Sequence, residues 1–366
     1  MNQKGISRRE FLSTSKHIAI GAVAGSLAMK TAGCFTVEEK PVVSIAKIEN
    51  DKIGYAVEKA VDLLGGIGTV TEGKDRIMLK PNLVDPLIED TTNPEVVKIL
   101  AQLMKRAGKE VLIGEGSAAA PGFNGEGEEM YRTKKREILD PMQQFVFDEL
   151  GYSELADSLK IPLVNLHSGE MAEVRLPDGY VFDRITLHKT LVDIDLLCSV
   201  PIMKTHMLAT VTLGMKNLIG LYPGTEYYSV RSWLHNCSAE KGSPGAAYEI
   251  VDMVRANKLG LVVVDGSTAM EGNGPSVTWG GTLVKMNLII AGTNPLATDM
   301  VTASIMGFEQ DEIPTFTWAV KAGMKPTKLD KIEIRGEKLD SVRRKFVKPT
   351  MIRWADIKDS FGAQEI

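Results

Sequence analysis

One segment, residues 198–224, places basic side chains among apolar ones. Its sequence is CSVPIMKTHMLATVTLGMKNLIGLYPG, in which Lys204, His206 and Lys216 stand between Met, Leu and Gly residues. Surface loops seldom have this composition, because exposed charged groups usually have polar neighbours. A lysine or histidine in apolar surroundings is suited to anion binding, to nucleophilic attack or to acid–base chemistry. We therefore interpret this segment as the candidate working site.

Polar side chains also follow several predicted strands. Because parallel strands end at one edge of a sheet, we expect these side chains to converge at that edge. Taken singly, each is as readily a turn or cap residue: Asp265 precedes a glycine, and Asp299 stands close to a helix N-terminus. The residues at the five strand ends are Lys80 and Asn82, Glu115 and Ser117, Lys204 and His206, Asp265, and Asn294 with Asp299.

The elements that position these residues alternate between strand and helix. This order predicts an α/β fold, a mostly parallel sheet covered by helices, in one large domain or two lobes. A β-hairpin insertion is predicted around Pro177-Asp178-Gly179, and residues 336–366 are expected to be a peripheral tail. Apolar patterns predict strands at 42–48, 76–79, 110–113, 163–166, 196–200, 261–264 and 283–291, and helices at 53–64, 93–108, 126–150, 246–257 and 296–306.

A glycine-rich loop, residues 114–119, fits the dinucleotide pattern GxGxxA. The residues after it, Pro121-Gly122-Phe123-Asn124-Gly125, predict a loop, whereas a pyrophosphate site needs a helix N-terminus at that point. We favour a ligand-facing loop over a dinucleotide site.

The amino-acid composition and the cysteine spacing exclude several classes of function. The chain has 366 residues, 44% of them hydrophobic and 25% charged, with a net charge of -4. No basic field indicates a nucleic-acid partner. The three cysteines form no CxxC pair, so neither a zinc ribbon nor an intrinsic iron–sulfur cluster is expected, and we interpret Cys198 and Cys237 as free thiols.

The N-terminus carries an export pattern. Ser7-Arg8-Arg9-Glu10-Phe11-Leu12 matches the twin-arginine signal, and the apolar stretch at 18–29 is too short to span a bilayer. Thr31-Ala32-Gly33-Cys34 is similar to a bacterial lipoprotein cleavage box; simple cleavage and an uncleaved anchor are the alternatives. We expect a signal segment at residues 1–33, passage through the twin-arginine translocase, and an extracytoplasmic protein held at the membrane through lipidated Cys34.

Six motifs together resemble domain-of-unknown-function family 362. The resemblance covers residues 42–335 and implies an α/β domain of bacterial or archaeal type. The family often carries ferredoxin-type cysteine clusters, which this chain lacks, and it has no settled activity. The motifs are LKPN (79–82), GEGS (114–117), PIMKTH (201–206), GMKNLIGLYPG (214–224), VVDGSTAMEGNGP (263–275) and NPLATDMVTASIMGF (294–308).

The segment from His206 to Lys216 is also similar to the central motif of lactate-racemase-type enzymes. In those enzymes a lysine anchors a nickel-pincer nucleotide cofactor, and histidines do acid–base work and bind metal. The resemblance implies anchoring by Lys216, catalysis by His206 and metal binding by His235. Those enzymes have a further histidine after the strand that corresponds to residues 111–113; here Ser117 and Pro121 occupy that loop. Shared ancestry with a different cofactor is the expectation.

We thus predict an exported enzyme that acts on a small anionic substrate with a metal or a nucleotide-derived cofactor. A non-catalytic exported lipoprotein that binds an anionic ligand is the alternative. Catalytic roles are predicted for Lys216, His206 and Asp265, and metal binding for His235 and Asp299. Ligand binding is predicted for Lys80, Asn82, Ser117, Lys204, Asn217 and Asn294.

Overall fold

Apolar, β-branched runs form the strands of the protein in a computed structural model that describes residues 40–127 and 129–366. The predictions for the twin-arginine pair and for Cys34 lie outside these residues. The strands are β1 (Val42–Lys47), β2 (Arg76–Pro81), β3 (Glu110–Glu115), β4 (Gly125–Glu126), β5 (Glu129–Met130), β6 (Leu163–Asn165), β7 (Met171–Arg175), β8 (Arg184–His188), β9 (Leu196–Val200), β10 (Ile202–His206), β11 (Thr210–Thr212), β12 (Leu259–Gly272), β13 (Gly281–Val284), β14 (Leu288–Gly292) and β15 (Glu333–Gly336).

Two helices begin at an asparagine cap that is followed by proline. Asn93 accepts a hydrogen bond from Glu95 N, and Pro94 follows at the first helical position; Asn294 and Pro295 repeat the arrangement later in the chain. The helices are α1 (Ile53–Asp62), α2 (Gly66–Val70), α3 (Pro94–Arg106), α4 (Arg136–Glu149), α5 (Tyr152–Leu159), α6 (Lys189–Asp193), α7 (Gly224–Tyr227), α8 (Ser232–Glu240), α9 (Ala247–Ala256), α10 (Pro295–Ile305), α11 (Pro314–Lys321), α12 (Leu339–Val342) and α13 (Trp354–Ile357).

An 11-stranded sheet carries the fold, with the path β15-β1-β14-β12-β9-β2-β3-β6. All strands on this path except β14 run in the same direction, and β14 is antiparallel to both β1 and β12. The predicted mostly parallel α/β sheet is therefore confirmed. The predicted hairpin is also present, as the antiparallel pair β7–β8.

Both faces of the sheet are covered. Leu196 and Cys198 of β9 pack into one apolar core with α1, α3, α4 and α5, whereas Leu197 packs into the other with α9, α10 and α11. Alternate strand residues point to opposite faces, so a strand buried on both sides reads as a continuous apolar run. Residues 40–366 form one compact unit, not two lobes. Within the described residues no helix combines the length and hydropathy needed to cross a membrane.

The structure corrects four element predictions. The apolar run 283–291 is two strands that both run antiparallel to β12, separated by a break at residues 285–287, where Asn287 has a φ of +53°. The helix predicted from residue 126 begins at Arg136, after the small β4–β5 hairpin. Residues 204–206 belong to strand β10 and not to a loop. The tail after residue 336 is not peripheral, since Phe346 and Trp354 join the main core.

Candidate functional site

Four predicted strand ends meet at one edge of the sheet. Strands β3, β2, β9 and β12 are parallel neighbours, and β10 continues β9 and pairs with the second half of β12. Their ends bring the side chains of Lys80, Glu115, Lys204 and Asp265 to this edge. The fifth prediction was wrong: β14 runs the other way, so Asn294 lies at the opposite edge. There it caps α10 through Ala297 N and donates to Lys325 O.

A buried ion pair stands at the centre of this edge. Lys80 Nζ lies 2.6 Å from Glu115 Oε2, and it also donates to Asn217 Oδ1 at 2.9 Å and Pro81 O at 2.7 Å. The ammonium group has three N–H donors, and all are used. Asn217 Nδ2 donates to Lys80 O and to Ser199 Oγ, both at 3.0 Å. Predicted to bind a ligand, Lys80 and Asn217 instead tie the segment after Met215 to β2 and β9.

Glu115 organises the loop after β3 as well as pairing with Lys80. Its Oε2 accepts from Leu83 N at 2.9 Å, and its Oε1 accepts from Gly116 N at 2.8 Å. Gly220 crosses directly over the pair: a Cβ at that position would lie 2.3 Å from Glu115 Oε1 and 2.9 Å from Lys80 Nζ. The glycine is therefore required by close backbone approach.

Lys204 is a buried ammonium group without an ion pair. Its Nζ donates to the carbonyl of Asp90 at 2.7 Å, and the described residues offer it no second hydrogen bond. Burial lowers the pKa of Lys204 to about 8, although Asp90 and Asp85 oppose that shift. Burial also raises the pKa of Asp85 to about 7, with a contribution from Asp90. Two donor positions of Lys204 thus remain unused at the edge of the sheet.

His206 is a neutral hydrogen-bond donor. Its Nδ1 accepts from Leu208 N at 3.1 Å and from Ala209 N at 3.4 Å, which assigns the ring proton to Nε2. Burial, followed by the charges of Lys216 and Lys204, lowers the pKa of His206 well below its usual value. The half-buried ring therefore presents an Nε2–H group, for which the described residues supply no acceptor.

Lys216 opens the 3-10 helix Lys216–Leu221 and is half-buried. Its Nζ forms no hydrogen bond or ion pair with any described residue. Leu213, Met215 and Phe316 line the small cavity beside it. Burial, followed by the charge of Lys204, lowers the pKa of Lys216 to about 7. A substantial fraction of this lysine is therefore an uncharged amine near neutral pH.

Asp299 holds the segment that carries Lys216. Its carboxylate accepts from Gly214 N and from Met215 N, both at 2.8 Å. Burial raises the pKa of Asp299 to about 7, against the effect of these two donors. Both oxygens are thus engaged by backbone. We assign Asp299 a positioning role in place of metal binding.

His235 is oriented by a buried carboxylate. Its Nδ1 contacts Glu249 Oε1, while Glu249 Oε2 has no partner in the described structure. The edge of Trp354, from the C-terminal tail, packs against the imidazole with ring centroids 5.2 Å apart. The charge of Glu249 raises the pKa of Lys216, and that of His235 lowers the pKa of His206. Helix α9, which carries Glu249, packs against the 3-10 helix that Lys216 opens. A carboxylate–histidine pair of this kind suits proton transfer.

The remaining predicted residues at this edge differ in whether their polar atoms have hydrogen-bond partners. Asp265 accepts from Asn93 N at 2.9 Å and from Ser267 N and Oγ at 2.9 and 2.6 Å, so its oxygens fix the start of α3. Burial raises the pKa of Asp265. Asn82 and Ser117 are buried at the edge, and their Oδ1 and Oγ atoms have no partner among the described residues.

Two buried basic groups were missed at the sequence level. Arg231 donates to four carbonyls, among them Ile219 O at 3.2 Å and Gly116 O at 2.9 Å, and burial lowers its pKa to about 10. His167 follows β6, accepts from Gly224 N at 3.1 Å, and has its pKa lowered to about 3 by burial. A Cβ on Gly116 would lie 3.4 Å from His167 Cε1. His167, from the end of the neighbouring strand β6, thus lies beside the loop after β3. It could have been found in the sequence because it directly follows a predicted strand.

The basic side chains at this edge differ in their ion pairing. Among the described residues, Lys80 pairs with the carboxylate of Glu115, whereas the buried Lys204 and Arg231 and the half-buried Lys216 form no ion pair. In the same residues no group of three His, Cys, Asp or Glu side chains is arranged to hold a metal ion.

Comparison with known proteins places these features in a family. Residues 77–304 match the family model described as Domain of unknown function (DUF362). A thylakoid-associated protein of Synechocystis is 31% identical over 267 residues, which cover 72% of this chain and 73% of that protein.

Two solved structures are similar at 16% identity. The lactate racemase apoprotein of Thermoanaerobacterium thermosaccharolyticum matches 73% of this chain and 57% of its own, with a TM-score of 0.42. A Thermotoga maritima protein matches 60% of this chain and 50% of its own, with a TM-score of 0.34. The chain thus spans only about half the length of each of these two structures.

Proposed function

The chain belongs to the family Domain of unknown function (DUF362), and on that premise we propose an exported, cofactor- or metal-dependent enzyme that acts on a small anionic substrate. The observation that carries the proposal is that neither Lys204 nor Lys216 forms an ion pair with a carboxylate of the described residues. Burying ammonium groups without carboxylate partners costs free energy, which a bound anion offsets. The neutral Nε2–H of His206 adds a directed donor beside them.

The contacts of the side chains divide them by role. Lys204, His206 and Lys216 bind the anion, Lys216 also supplies a nucleophilic amine or an anchoring point, and His235 with Glu249 transfers protons. Lys80, Asn217, Asp265 and Asp299 hold these groups in place. Asn82 and Ser117 keep free polar atoms at the same edge and are assigned to ligand contacts.

The fit to a resident group differs between a nucleotide-derived cofactor and a metal. The half-exposed, unpaired amine of Lys216 fits covalent anchoring of a cofactor, and the charge of Lys204 fits a phosphate. A metal would need ligands beyond the described residues, because they hold no three-member ligand set. No chemical step is therefore assigned to a metal.

Export is proposed from the N-terminal pattern. The twin-arginine signal and the box at Cys34 support translocation by the twin-arginine translocase and attachment to the membrane outside the cytoplasm. The name of the Synechocystis relative associates that protein with a membrane system. Mass analysis of the N-terminal peptide from the cell envelope tests this: diacylglycerol on Cys34 is expected, and an unprocessed Met1 would contradict it.

Turnover of metabolites tests the enzymatic proposal. The exported protein is incubated with a metabolite extract of the producing cells, and losses of anionic compounds are measured by mass spectrometry. Wild type and Lys328→Gln, a change at an exposed lysine, are expected to consume at least one compound that Lys216→Gln leaves intact. Consumption of none would contradict an enzyme.

The alternative, a non-catalytic exported lipoprotein, shares the same anionic site. It predicts binding without consumption and loss of affinity alone in Lys216→Gln. Intact mass and elemental analysis of the same preparation add a separate readout, since a cofactor adduct at Lys216 or stoichiometric metal favours the enzyme.

A further inference from the structure

Lys216 differs from the buried Lys80 in that its amine has no hydrogen-bond partner among the described residues. All three N–H donors of Lys80 are used by oxygen acceptors. Lys216 Nζ, in contrast, has no hydrogen-bond partner among the described residues and is half-exposed. Its backbone is nevertheless fixed on both sides, by Asp299 at Met215 N and by the side-chain bonds of Asn217. A well-positioned amine that no protein group uses indicates a group kept for a reaction.

Two hydrogen-bond donors lie on one face of strand β10, which pairs with β11, the strand that leads into the segment of Lys216. Lys204 and His206 are two residues apart and so point to the same side of the strand, while Thr205 between them donates to Gly272 O on the other side. Lys204 uses one donor, and His206 keeps Nε2–H free. An ammonium and an imidazole N–H together match the two oxygens of a carboxylate.

We propose that Lys216 forms an imine with the carbonyl carbon of a 2-oxo acid whose carboxylate is held by Lys204 and His206. This inference rests on the proposed function, because it specifies the substrate class of the same site. An adjacent carbonyl and carboxylate are the two groups that this arrangement of one free amine and two anion-binding donors selects.

The chemistry balances without an added oxidant or reductant. The lone pair of the Lys216 amine forms a C–N bond to the carbonyl carbon; the nitrogen then loses one proton and the former carbonyl oxygen gains one, which gives a neutral carbinolamine. The C–O bond then breaks, the oxygen leaves as water with a second proton, and a protonated imine remains. The His235–Glu249 pair is assigned to carry these protons, because α9, which carries Glu249, packs against the 3-10 helix that Lys216 opens, and Tyr222 of that segment donates to Glu249 O at 3.0 Å.

Reductive trapping tests the imine directly. The exported wild-type protein is treated with pyruvate and sodium cyanoborohydride, digested and mapped by mass spectrometry. We expect one reduced pyruvate adduct, on Lys216, that is absent in Lys216→Arg and unchanged in Lys328→Gln. Lys216→Arg keeps a positive charge, so its fold can be verified by thermal unfolding. Adducts spread over exposed lysines without enrichment at Lys216 would overturn the inference.

A neutral carbonyl compound separates anion recognition from mere amine reactivity. Methyl pyruvate has an equally activated carbonyl without the carboxylate charge, and we expect it to label Lys216 about tenfold or more slowly than pyruvate, which corresponds to about 1.4 kcal/mol or more. His206→Ala should reduce this preference. Equal labelling by the two compounds would also overturn the inference.

Oxalate, an anion without an electrophilic carbonyl of this kind, distinguishes failure here from failure of the proposed function. If oxalate binds in calorimetry and no adduct forms at Lys216, the imine is wrong and the anionic site stands. If Lys216 already carries a covalent group in the purified protein, the imine with substrate is likewise wrong while a cofactor-dependent enzyme stands. If oxalate does not bind and no adduct forms, both proposals fail.

Discussion

The carboxylate of Asp299 accepts a hydrogen bond from Met215 N at 2.8 Å, immediately before Lys216. Its second oxygen accepts from Gly214 N at the same distance. A helix on one side of the sheet therefore fixes the backbone from which Lys216 projects. The position of the amine is thus set by the fold and not by its own side-chain contacts.

Replacing Asp299 by asparagine is expected to destabilise the protein by about 1–3 kcal/mol, because an amide NH₂ then faces a buried backbone N–H. Urea unfolding measures the loss, and trapping at Lys216 should fall with it. Asp359→Asn is the matched control, since Asp359 is exposed. Equal stability of the two variants would contradict the positioning role.

Glu115→Gln removes the charge that pairs with buried Lys80. We expect a loss of about 3–5 kcal/mol in unfolding free energy, because one buried charge is left unpaired. Glu110→Gln on the same strand breaks the surface pair with Arg76, at 2.9 Å, and should cost less than about 1 kcal/mol. Denaturant titration compares the two, and similar losses would show that the buried pair contributes no more than the surface pair.

Gly220→Ala places a Cβ against both members of the buried ion pair. The contacts at 2.3 and 2.9 Å require the pair or the backbone to move, and we expect a loss of about 1–3 kcal/mol. Gly68→Ala in α2, where no atom lies within 4 Å of the added Cβ, should be neutral or stabilising. The melting temperatures of the two variants test this expectation. An unchanged melting temperature for Gly220→Ala would contradict the close approach.

Lys216 should give the protein a pH dependence of both reactivity and stability. The pKa of Lys216 is about 7 in the folded state against 10.5 for an ordinary lysine, so between these values the unfolded state binds the extra proton. The unfolding free energy contributed by this group therefore rises with pH from about 7 toward 10.5. Lys216→Gln should lose that slope relative to Lys328→Gln.

The rate of pyruvate trapping at Lys216 should also rise through pH 7, as the amine loses its proton. A rate that rises only near pH 10 would show that the amine is an ordinary lysine.

Apolar patterns and strand ends predicted the sheet and most of its edge. Lys80, Lys204 and Asp265 were placed correctly because parallel strands share an edge. Asn294 was misplaced, since hydrophobicity does not record strand direction and β14, an apolar strand like its neighbours, runs antiparallel to β12. The roles of Lys80 and Asn217 could not be predicted either, because the two residues bind each other across more than 130 residues of sequence.

The His235–Glu249 pair illustrates a second limit of prediction from the sequence. Glu249 and Trp354 approach His235 from α9 and from the C-terminal tail, and neither contact follows from local spacing. His167 was detectable in principle as a polar residue after a predicted strand, but its closeness to the loop after β3 needed the β3–β6 pairing. Sequence periodicity defines elements, whereas tertiary pairing defines the site.

Calorimetric titration of the exported protein with oxalate tests the central claim, an anionic-ligand site formed by Lys204, His206 and Lys216. We predict saturable binding by wild type and by Lys328→Gln, and an affinity about tenfold or more weaker in Lys216→Gln, a loss of about 1.4 kcal/mol or more. Absence of binding by wild type, or equal affinity in Lys216→Gln, would contradict the account.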